Sequence, residues 1–162
     1  MKKYPIIIAV LMILFLSENF AIEKASDFKL ENIKGKKVSL SDFQKEGLVI
    51  LDFWATWCEP CKKALPKLND IHEKYDSVVV VTICTDKPRT KDKAKTYIKS
   101  NKYKFYSLFD PNKTVQKMFN VVNIPRTIMI APDGIIIYDH TGYQRGDEEH
   151  YEEVIQKWIN RN

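Results

Sequence analysis

The sequence predicts one α/β domain with a mixed central sheet that is covered by helices on both faces. Two nearly continuous apolar runs, residues 48–53 and 78–84, are typical of buried central strands. Amphipathic helical patterns lie between and after these runs, and no repeat or low-complexity linker interrupts residues 27–162. A chain of 162 residues is long enough for one domain of ordinary size rather than two.

The first half of the chain divides into a hairpin, a helical turn and a strand–helix–strand unit. Turn residues at 32–35 lie between two short strand patterns, 28–30 and 37–39, and predict an N-terminal hairpin. Residues 41–43 are typical of one helical turn. Between the two buried runs, apolar residues recur on one helical face over residues 60–75, which predicts a helix that packs on the sheet.

The second half contains two helices, a hairpin and a last helix. Residues 91–100 predict a charged helix with an apolar inner stripe, and residues 115–122 place apolar side chains at i, i+3, i+4 and i+7. The strand patterns at 127–130 and 135–138 are joined by turn residues and predict a hairpin. Apolar residues at helical spacing over residues 151–158 predict the final helix.

The composition excludes several classes of protein. Hydrophobic residues make up 44% and charged residues 29% of the chain, which is too apolar for a disordered protein. Three cysteines are too few for a small domain built on disulfides. The net charge is only +5 and is spread over many positions, so we expect no nucleic-acid partner.

The N terminus has the pattern of a signal peptide. A short basic start precedes an apolar run over residues 6–16, which is shorter than the roughly 20 residues needed to span a bilayer. Ala21 is a candidate for the small residue before a cleavage site. We therefore predict a signal peptide at residues 1–21 and a mature domain at residues 22–162, with an uncleaved signal anchor as the alternative. Either form places the domain on the extracytoplasmic side, periplasmic or secreted, where disulfides persist.

The segment after the first buried run carries the chemistry. Cys58 and Cys61 are separated by two residues at the predicted start of a helix, where unpaired N–H groups and the helix dipole favour an anion. Such a position lowers the pKa of the first thiol and makes it the attacking thiolate. Cys61 lies one turn further on and is placed to resolve a mixed disulfide. Pro60 fits the first helical turn, since its missing N–H would have no partner there.

Two other interpretations of this cysteine pair are weaker. Half a zinc site would need a second C-x-x-C or a pair of histidines at ligand spacing, and the sequence has neither. A structural disulfide that closes so short a loop would constrain little of the unfolded chain. We therefore interpret Cys58 and Cys61 as a redox-active pair, and we expect no metal site and no cofactor besides their disulfide.

The segment around the cysteine pair, residues 51–62, resembles the active site of the thioredoxin superfamily, most closely its exported, reducing TlpA/ResA-like branch. The resemblance covers residues 26–160. It includes Pro66, which matches the kink proline of the active-site helix, and residues 124–127, which match the cis-proline loop. A helix and strand inserted over residues 90–108 also follow the exported branch. The resemblance therefore implies a thioredoxin fold with an N-terminal β-hairpin and an inserted βα element.

The resemblance also implies which residues surround the dithiol. It implies that the bond before Pro125 is cis, faces the two cysteines and leaves the backbone of the preceding residue free to pair with a substrate strand. Without the resemblance the sequence shows only a proline before a strand, and such bonds are usually trans. Trp54 and Trp57 are expected to form the apolar rim around Cys58, with plain packing as the alternative, above all for Trp54. The predicted substrate-binding residues are Trp57, Glu59, Pro60, Ile124 and Pro125.

Asp52 is the third predicted catalytic residue. An aspartate near the end of an apolar strand is costly unless it is hydrogen-bonded or functional. It matches the buried aspartate of cytoplasmic thioredoxins, which implies that it takes the proton of the second cysteine, and burial should raise its pKa toward neutrality. A hydrogen-bonded carboxylate at a strand end is the alternative. The TlpA/ResA-like branch tends to carry a glutamate three positions after the second cysteine, where this chain has Ala64.

Glu59 and Cys84 are the remaining informative positions. A carboxylate beside Cys58 opposes the thiolate, so we expect Glu59 to make the pair a stronger reductant, unless it is only a solvated surface charge. Cys84 ends the second buried run, and we expect it to be a packing residue, with a second resolving thiol as the alternative.

The function predicted from these features is a thiol–disulfide oxidoreductase that reduces disulfides of exported proteins. The resemblance implies a membrane electron donor of the CcdA/DsbD type and apocytochrome c, in cytochrome c maturation, as one substrate. The alternatives are a general disulfide oxidase or isomerase and a copper-delivering chaperone on the same fold. A peroxidase is a poor fit, because Thr56 precedes Cys58 by only two positions. We expect a monomer.

Overall fold

The structure, a computed structural model, describes residues 23–161, and within them one mixed sheet of seven strands is flanked by helices. The strands are β1 (Lys29–Asn32), β2 (Lys37–Ser39), β3 (Leu48–Trp54), β4 (Val78–Cys84), β5 (Tyr106–Phe109), β6 (Arg126–Ile130) and β7 (Ile136–Thr141). The α-helices are α1 (Leu40–Gln44), α2 (Glu59–Lys74), α3 (Lys91–Ser100), α4 (Thr114–Met118) and α5 (Asp147–Ile159), and a 3₁₀ turn (Pro88–Thr90) precedes α3.

The strands follow the order β2-β1-β5-β4-β3-β6-β7. The central strands β3, β4 and β5 are parallel, whereas β6 and β7 add an antiparallel hairpin on one side and β1 and β2 another on the other side. Both hairpins were predicted, as was the mixed sheet. The fold is thioredoxin-like, with the inserted α3 and β5 between the two central βα units.

Two apolar clusters, one on each face of the sheet, stabilise it. The apolar side chains of β3 alternate between them: Leu48, Ile50 and Trp54 join the cluster under α2, α3 and α5, while Val49, Leu51 and Phe53 join the cluster under α1 and α4. Every residue of β3 and of β4 is buried, because these strands have neighbours on both sides and helices on both faces. This burial on both faces explains why the sequence is nearly continuously apolar over β3 and β4.

Three chain segments meet at one edge of the sheet. Trp54 and Cys84 are aligned where the parallel strands β3 and β4 end, and Phe53 is aligned with Arg126, where the antiparallel β6 begins. The loops after β3 and β4 and the loop before β6 therefore lie together. The backbone N–H of Thr85 donates to the carbonyl of Trp54 at 2.9 Å and joins the first two loops.

The predicted helix over residues 115–122 is wrong at its C-terminal end. The helix ends at Met118, and Asn120 has a φ of 50°, in the left-handed region. Val115 and Phe119 pack in the core, but Val122, which the prediction placed on the inner face, is 86% exposed. Val122 therefore fits the helical spacing of apolar residues in the sequence but does not belong to the helix and does not pack in the core.

The predicted signal peptide at residues 1–21 lies outside the residues that the structure describes. Over the described part, 23–161, the helices are too short or too polar to span a bilayer.

Candidate active site

The cysteine pair lies at the N terminus of α2. Cys58 is the N-cap residue, and its sulfur forms a disulfide with Cys61 one turn into the helix. The backbone N–H of Cys61 points at the Cys58 sulfur at 3.3 Å. Pro60 occupies the first turn, as predicted, where no intrahelical hydrogen bond is lost. The first cysteine thus faces the positive end of a helix of 16 residues, which favours its thiolate once the disulfide is reduced.

The loop before β6 lies against this disulfide. The Ile124–Pro125 peptide bond is cis, as the resemblance implied. The carbonyl oxygen of Ile124 lies 3.8 Å from the Cys58 sulfur. Ile124 and Pro125 are therefore next to the sulfur that a substrate would reach.

The two sulfurs are shielded to different degrees. Cys61 is completely buried, and Cys58 is nearly so in the oxidised protein. Next to them, Trp57 is 69% exposed, whereas Trp54 is completely buried. Of the two tryptophans, only Trp57 offers its ring to a partner, and a large exposed apolar side chain is typical of a recognition surface.

Asp52 is buried on the same side of the sheet as the dithiol. Its position in β3 puts its side chain on the face of Ile50 and Trp54, toward α2. One carboxylate oxygen accepts a hydrogen bond from the Thr127 hydroxyl at 3.0 Å, and the other has no hydrogen-bond partner among residues 23–161. Burial raises the pKa of Asp52 to about 7, and the Thr127 hydrogen bond opposes part of that rise.

Thr127 and Tyr151 complete a buried polar chain that sequence reasoning missed. The Thr127 hydroxyl oxygen lies 3.3 Å from the Tyr151 hydroxyl, and both residues are buried. Thr127 is aligned with Asp52 in the β3–β6 pairing. In the sequence, only the position of Thr127 two residues after Pro125 indicated that it lies near the active site. Its hydrogen bond to Asp52 follows from the register of β3 and β6, which the sequence does not show.

Ala64 lies where the TlpA/ResA-like pattern has a glutamate. It is buried on the inner face of α2, one turn after Cys61. Two other carboxylates, Asp86 and Asp110, are buried in the described structure, and both accept hydrogen bonds from backbone N–H groups. Asp52 is therefore the buried carboxylate on the dithiol face that retains an oxygen free to accept a proton.

Glu59 is exposed and paired. Its carboxylate is 2.5 Å from the Lys62 ammonium, and its side chain is 73% exposed. The lysine offsets part of the negative charge that Glu59 places near Cys58. The effect of Glu59 on the thiolate is therefore smaller than that of an unpaired carboxylate.

Cys84 is a free, buried cysteine. Burial raises the pKa of its thiol to about 12, so the thiol stays protonated and unreactive near neutral pH. This environment agrees with a packing role. Within the described residues, no group of three or more His, Cys, Asp or Glu side chains is arranged to hold a metal ion.

Comparison with known proteins agrees with this geometry. Residues 22–139 match the AhpC/TSA family. The thiol-disulfide oxidoreductase ResA of Bacillus cereus is 32% identical over 97% of this chain and 98% of its own length. ResA of Bacillus subtilis is 33% identical over 73% of this chain and 65% of its own.

Solved structures give the same result. A candidate thiol:disulfide interchange protein DsbE from Chlorobium tepidum superposes with a TM-score of 0.77 at 31% identity, over 83% of this chain and 94% of that one. The pneumococcal exposed lipoprotein thioredoxin Etrx1 of Streptococcus pneumoniae superposes with a TM-score of 0.67 at 27% identity, over 81% of this chain and 99% of that one. The chain therefore belongs to the thioredoxin-like AhpC/TSA family and is a thiol–disulfide oxidoreductase similar to ResA.

Proposed function

We propose that this protein reduces disulfides of exported proteins through Cys58 and Cys61. The observation that carries the proposal is the position of this pair, with Cys58 at the start of α2 and against the carbonyl of Ile124. A client strand next to Pro125 would have its own disulfide within reach of the Cys58 sulfur. The exposed Trp57 adds an apolar contact on the same side.

The reaction consists of two thiol–disulfide exchanges. The Cys58 thiolate attacks one sulfur of the client disulfide, so that the client S–S bond breaks, a Cys58–client bond forms and the second client sulfur leaves as a thiolate that takes up a proton. Cys61 then loses its proton and attacks the Cys58 sulfur. The mixed disulfide breaks, the Cys58–Cys61 bond forms, and the client leaves with two thiols. Two electrons have passed from the protein to the client.

Asp52 is proposed as the base that takes the proton of Cys61. Its carboxyl is buried on the dithiol face, has an oxygen free of other hydrogen bonds and has a pKa raised to about 7. A base with such a pKa accepts a proton near neutral pH and returns it readily. Position 64 carries alanine where the TlpA/ResA-like branch tends to carry a glutamate. We therefore propose that Asp52 is the only carboxyl that takes this proton.

The protein needs a source of electrons for each turnover. We propose a membrane dithiol donor of the CcdA/DsbD type, because a signal peptide at residues 1–21 would export the domain to a compartment that is oxidising. The similarity to the exposed lipoprotein thioredoxin Etrx1 supports the extracytoplasmic location. Apocytochrome c, whose haem-binding cysteines must be reduced, is a proposed client.

Trapping of the mixed disulfide tests this function. A Cys61→Ser variant cannot resolve the intermediate, so clients should stay linked to Cys58 and be released by dithiothreitol. The matched control is Cys58→Ser, which retains Cys61 and Cys84 but lacks the attacking thiol. Equal amounts of linked protein on both variants would contradict the proposal.

A further inference from the structure

A groove lined by positively charged side chains lies beside the active-site loop. It has a volume of about 310 Å³, and its walls come from the loop after β3 and from the segment between β4 and α3 together with the first turn of α3. Trp57 lines one side, and Lys87, Arg89 and Lys93 line the other. Because Trp57 directly precedes Cys58 in the chain, this wall of the groove is part of the active-site loop.

The three cations of this Trp57 groove are available to a ligand. Lys87, Arg89 and Lys93 are all exposed, and none of them forms an ion pair with any residue that the structure describes. Their neighbours differ in this respect. Lys91 pairs with Glu31 at 2.8 Å, and Lys95 pairs with Asp92 at 3.4 Å.

Among the described residues, Asp86 is the one acidic residue that lines the groove, and its carboxylate already binds a backbone N–H. It is buried, and its carboxylate accepts a hydrogen bond from the backbone N–H of Thr56 at 3.2 Å. This bond connects the two walls and holds the charged segment against the active-site loop. Two acidic residues adjoin the groove residues in the sequence, and both are paired: Glu59, two residues after Trp57, with Lys62, and Asp92, directly before Lys93, with Lys95. The groove thus presents an excess of positive charge to any bound segment.

The place of the groove determines what part of a client would reach it. A client attached to Cys58 is an extended chain that advances about 3.3 Å per residue. The side chains that reach the Trp57 groove are then roughly one to three residues from the client cysteine. The cations that line the groove attract carboxylates in this part of the client.

We propose that the Trp57 groove selects clients with aspartate or glutamate within a few residues of the reactive cysteine. This inference rests on the proposed function and adds a substrate class to it. The carboxylates bind Lys87, Arg89 and Lys93, while the ring of Trp57 packs on the client chain. The selection acts on the first exchange, in which the client approaches Cys58.

Three disulfide-linked peptides that differ only in the residues flanking the cysteine test the proposal. The flanking residues are acidic, neutral amide or basic, and kcat/KM is measured with dithiothreitol as electron donor. We expect the acidic peptide to be reduced about five times faster than the neutral one at an ionic strength of about 0.02 M, and the basic peptide to be slowest. The preference should nearly disappear at about 0.5 M, because salt screens exposed charges.

Charge reversal identifies the groove as the source. The double variant Arg89→Glu/Lys93→Glu should prefer the basic peptide, and the single variant Arg89→Gln should show a reduced acidic preference. The control Lys99→Glu changes a lysine of α3 that is exposed, lies outside the groove and forms no ion pair within residues 23–161, so it should keep the wild-type order. Thermal unfolding verifies that each variant is folded.

The possible results separate the two proposals. If no peptide is reduced, the proposed function is wrong. If all three are reduced at equal rates, or if Lys99→Glu alters the preference as much as the double variant does, the groove has no role in selection. Glutathione disulfide carries carboxylates on a smaller molecule. A rate for it that equals or exceeds that of the acidic peptide would overturn the assignment of a polypeptide ligand.

Discussion

At the scale of single residues, the buried carboxyl of Asp52 costs stability when it ionises. Its pKa is about 7 in the folded protein and has the ordinary value of 3.8 in the unfolded chain. Between these two values the unfolded chain has lost the proton and the folded protein retains it. The free energy of unfolding therefore falls as the pH rises through this window and is constant above it.

An Asp52→Asn variant should remove this cost. We expect it to be more stable than the wild type by roughly 2–4 kcal/mol above pH 7 and to show little difference below about pH 4. Urea unfolding of the oxidised proteins across this range measures the difference. A variant that is less stable than the wild type at pH 8 would mean that the fold stabilises the Asp52 carboxylate instead of penalising it.

The same variant should slow the second exchange. Without the carboxylate we expect release of the client from the mixed disulfide to be about tenfold slower or more at neutral pH, and the inflection near pH 7 to be lost. Rapid quenching with an alkylating agent measures this step. Thr127→Val is the control: it keeps the carboxyl but removes the hydrogen bond that lowers its pKa, so the inflection should move to higher pH. An identical pH profile in all three proteins would exclude Asp52 as the base.

Glu59 and Lys62 should set the reduction potential in opposite directions. Removing the carboxylate in Glu59→Gln leaves Lys62 to stabilise the Cys58 thiolate, and we expect the potential to rise by about 10 mV. Lys62→Gln should lower it by a similar amount. Equilibration with glutathione or dithiothreitol buffers gives the values. A wild-type potential near the roughly −120 mV of a strong oxidant would favour the disulfide oxidase over the reductase.

At the scale of elements, the entry into β3 depends on Gly47. This residue has a φ of 150°, and a Cβ placed on it would lie 2.1 Å from the carbonyl oxygen of Ser77. That oxygen accepts the N–H of Leu48 at 3.0 Å, so it cannot move without breaking the first bond of the strand. The close contact between Gly47 and Ser77 therefore determines where β3 begins, and with it the position of the active-site loop that follows β3.

Substitution of Gly47 by alanine should therefore be severe. We expect Gly47→Ala to destabilise the fold by about 3 kcal/mol or more, because the new Cβ meets backbone. Gly35→Ala is the matched control, since Gly35 has a φ of 81° but nothing within 4 Å of its Cβ, and it should cost only about 1 kcal/mol. Chemical denaturation compares the two variants. Equal losses would show that the contact with Ser77 is relieved by a small shift.

The elements themselves were largely predictable from local pattern. The apolar runs of β3 and β4 and the apolar faces of α2 and α5 could be predicted because each buried position needs an apolar side chain, whatever its neighbours in the fold are. The end of α4 was not predictable in this way. The apolar Val122 continued the helical spacing, but the backbone turns at Asn120 into the left-handed region, which hydrophobic periodicity does not encode.

At the scale of the whole molecule, strand order brings distant residues into one site. Cys58, Cys61 and Pro125 were recognisable because the resemblance names them as a set. The contact of Asp52 with Thr127 and Tyr151 depends on the β3–β6 register and on the placement of α5, which no local pattern contains. The sequence shows that residues 87–104 are rich in lysine, which is compatible with a solvated helix face or with a docking patch for an acidic partner or an anionic lipid. The structure adds which of these lysines are paired within the described residues, Lys91 with Glu31 and Lys95 with Asp92.

The most direct test of the account counts the electrons. The protein is reduced, freed from reductant and mixed with insulin, and all thiols are alkylated and identified by mass spectrometry. We expect one Cys58–Cys61 disulfide to form for each insulin interchain disulfide that is lost, and no reaction with Cys58→Ser. Insulin that keeps its disulfides while Cys58 and Cys61 remain thiols would contradict the central claim.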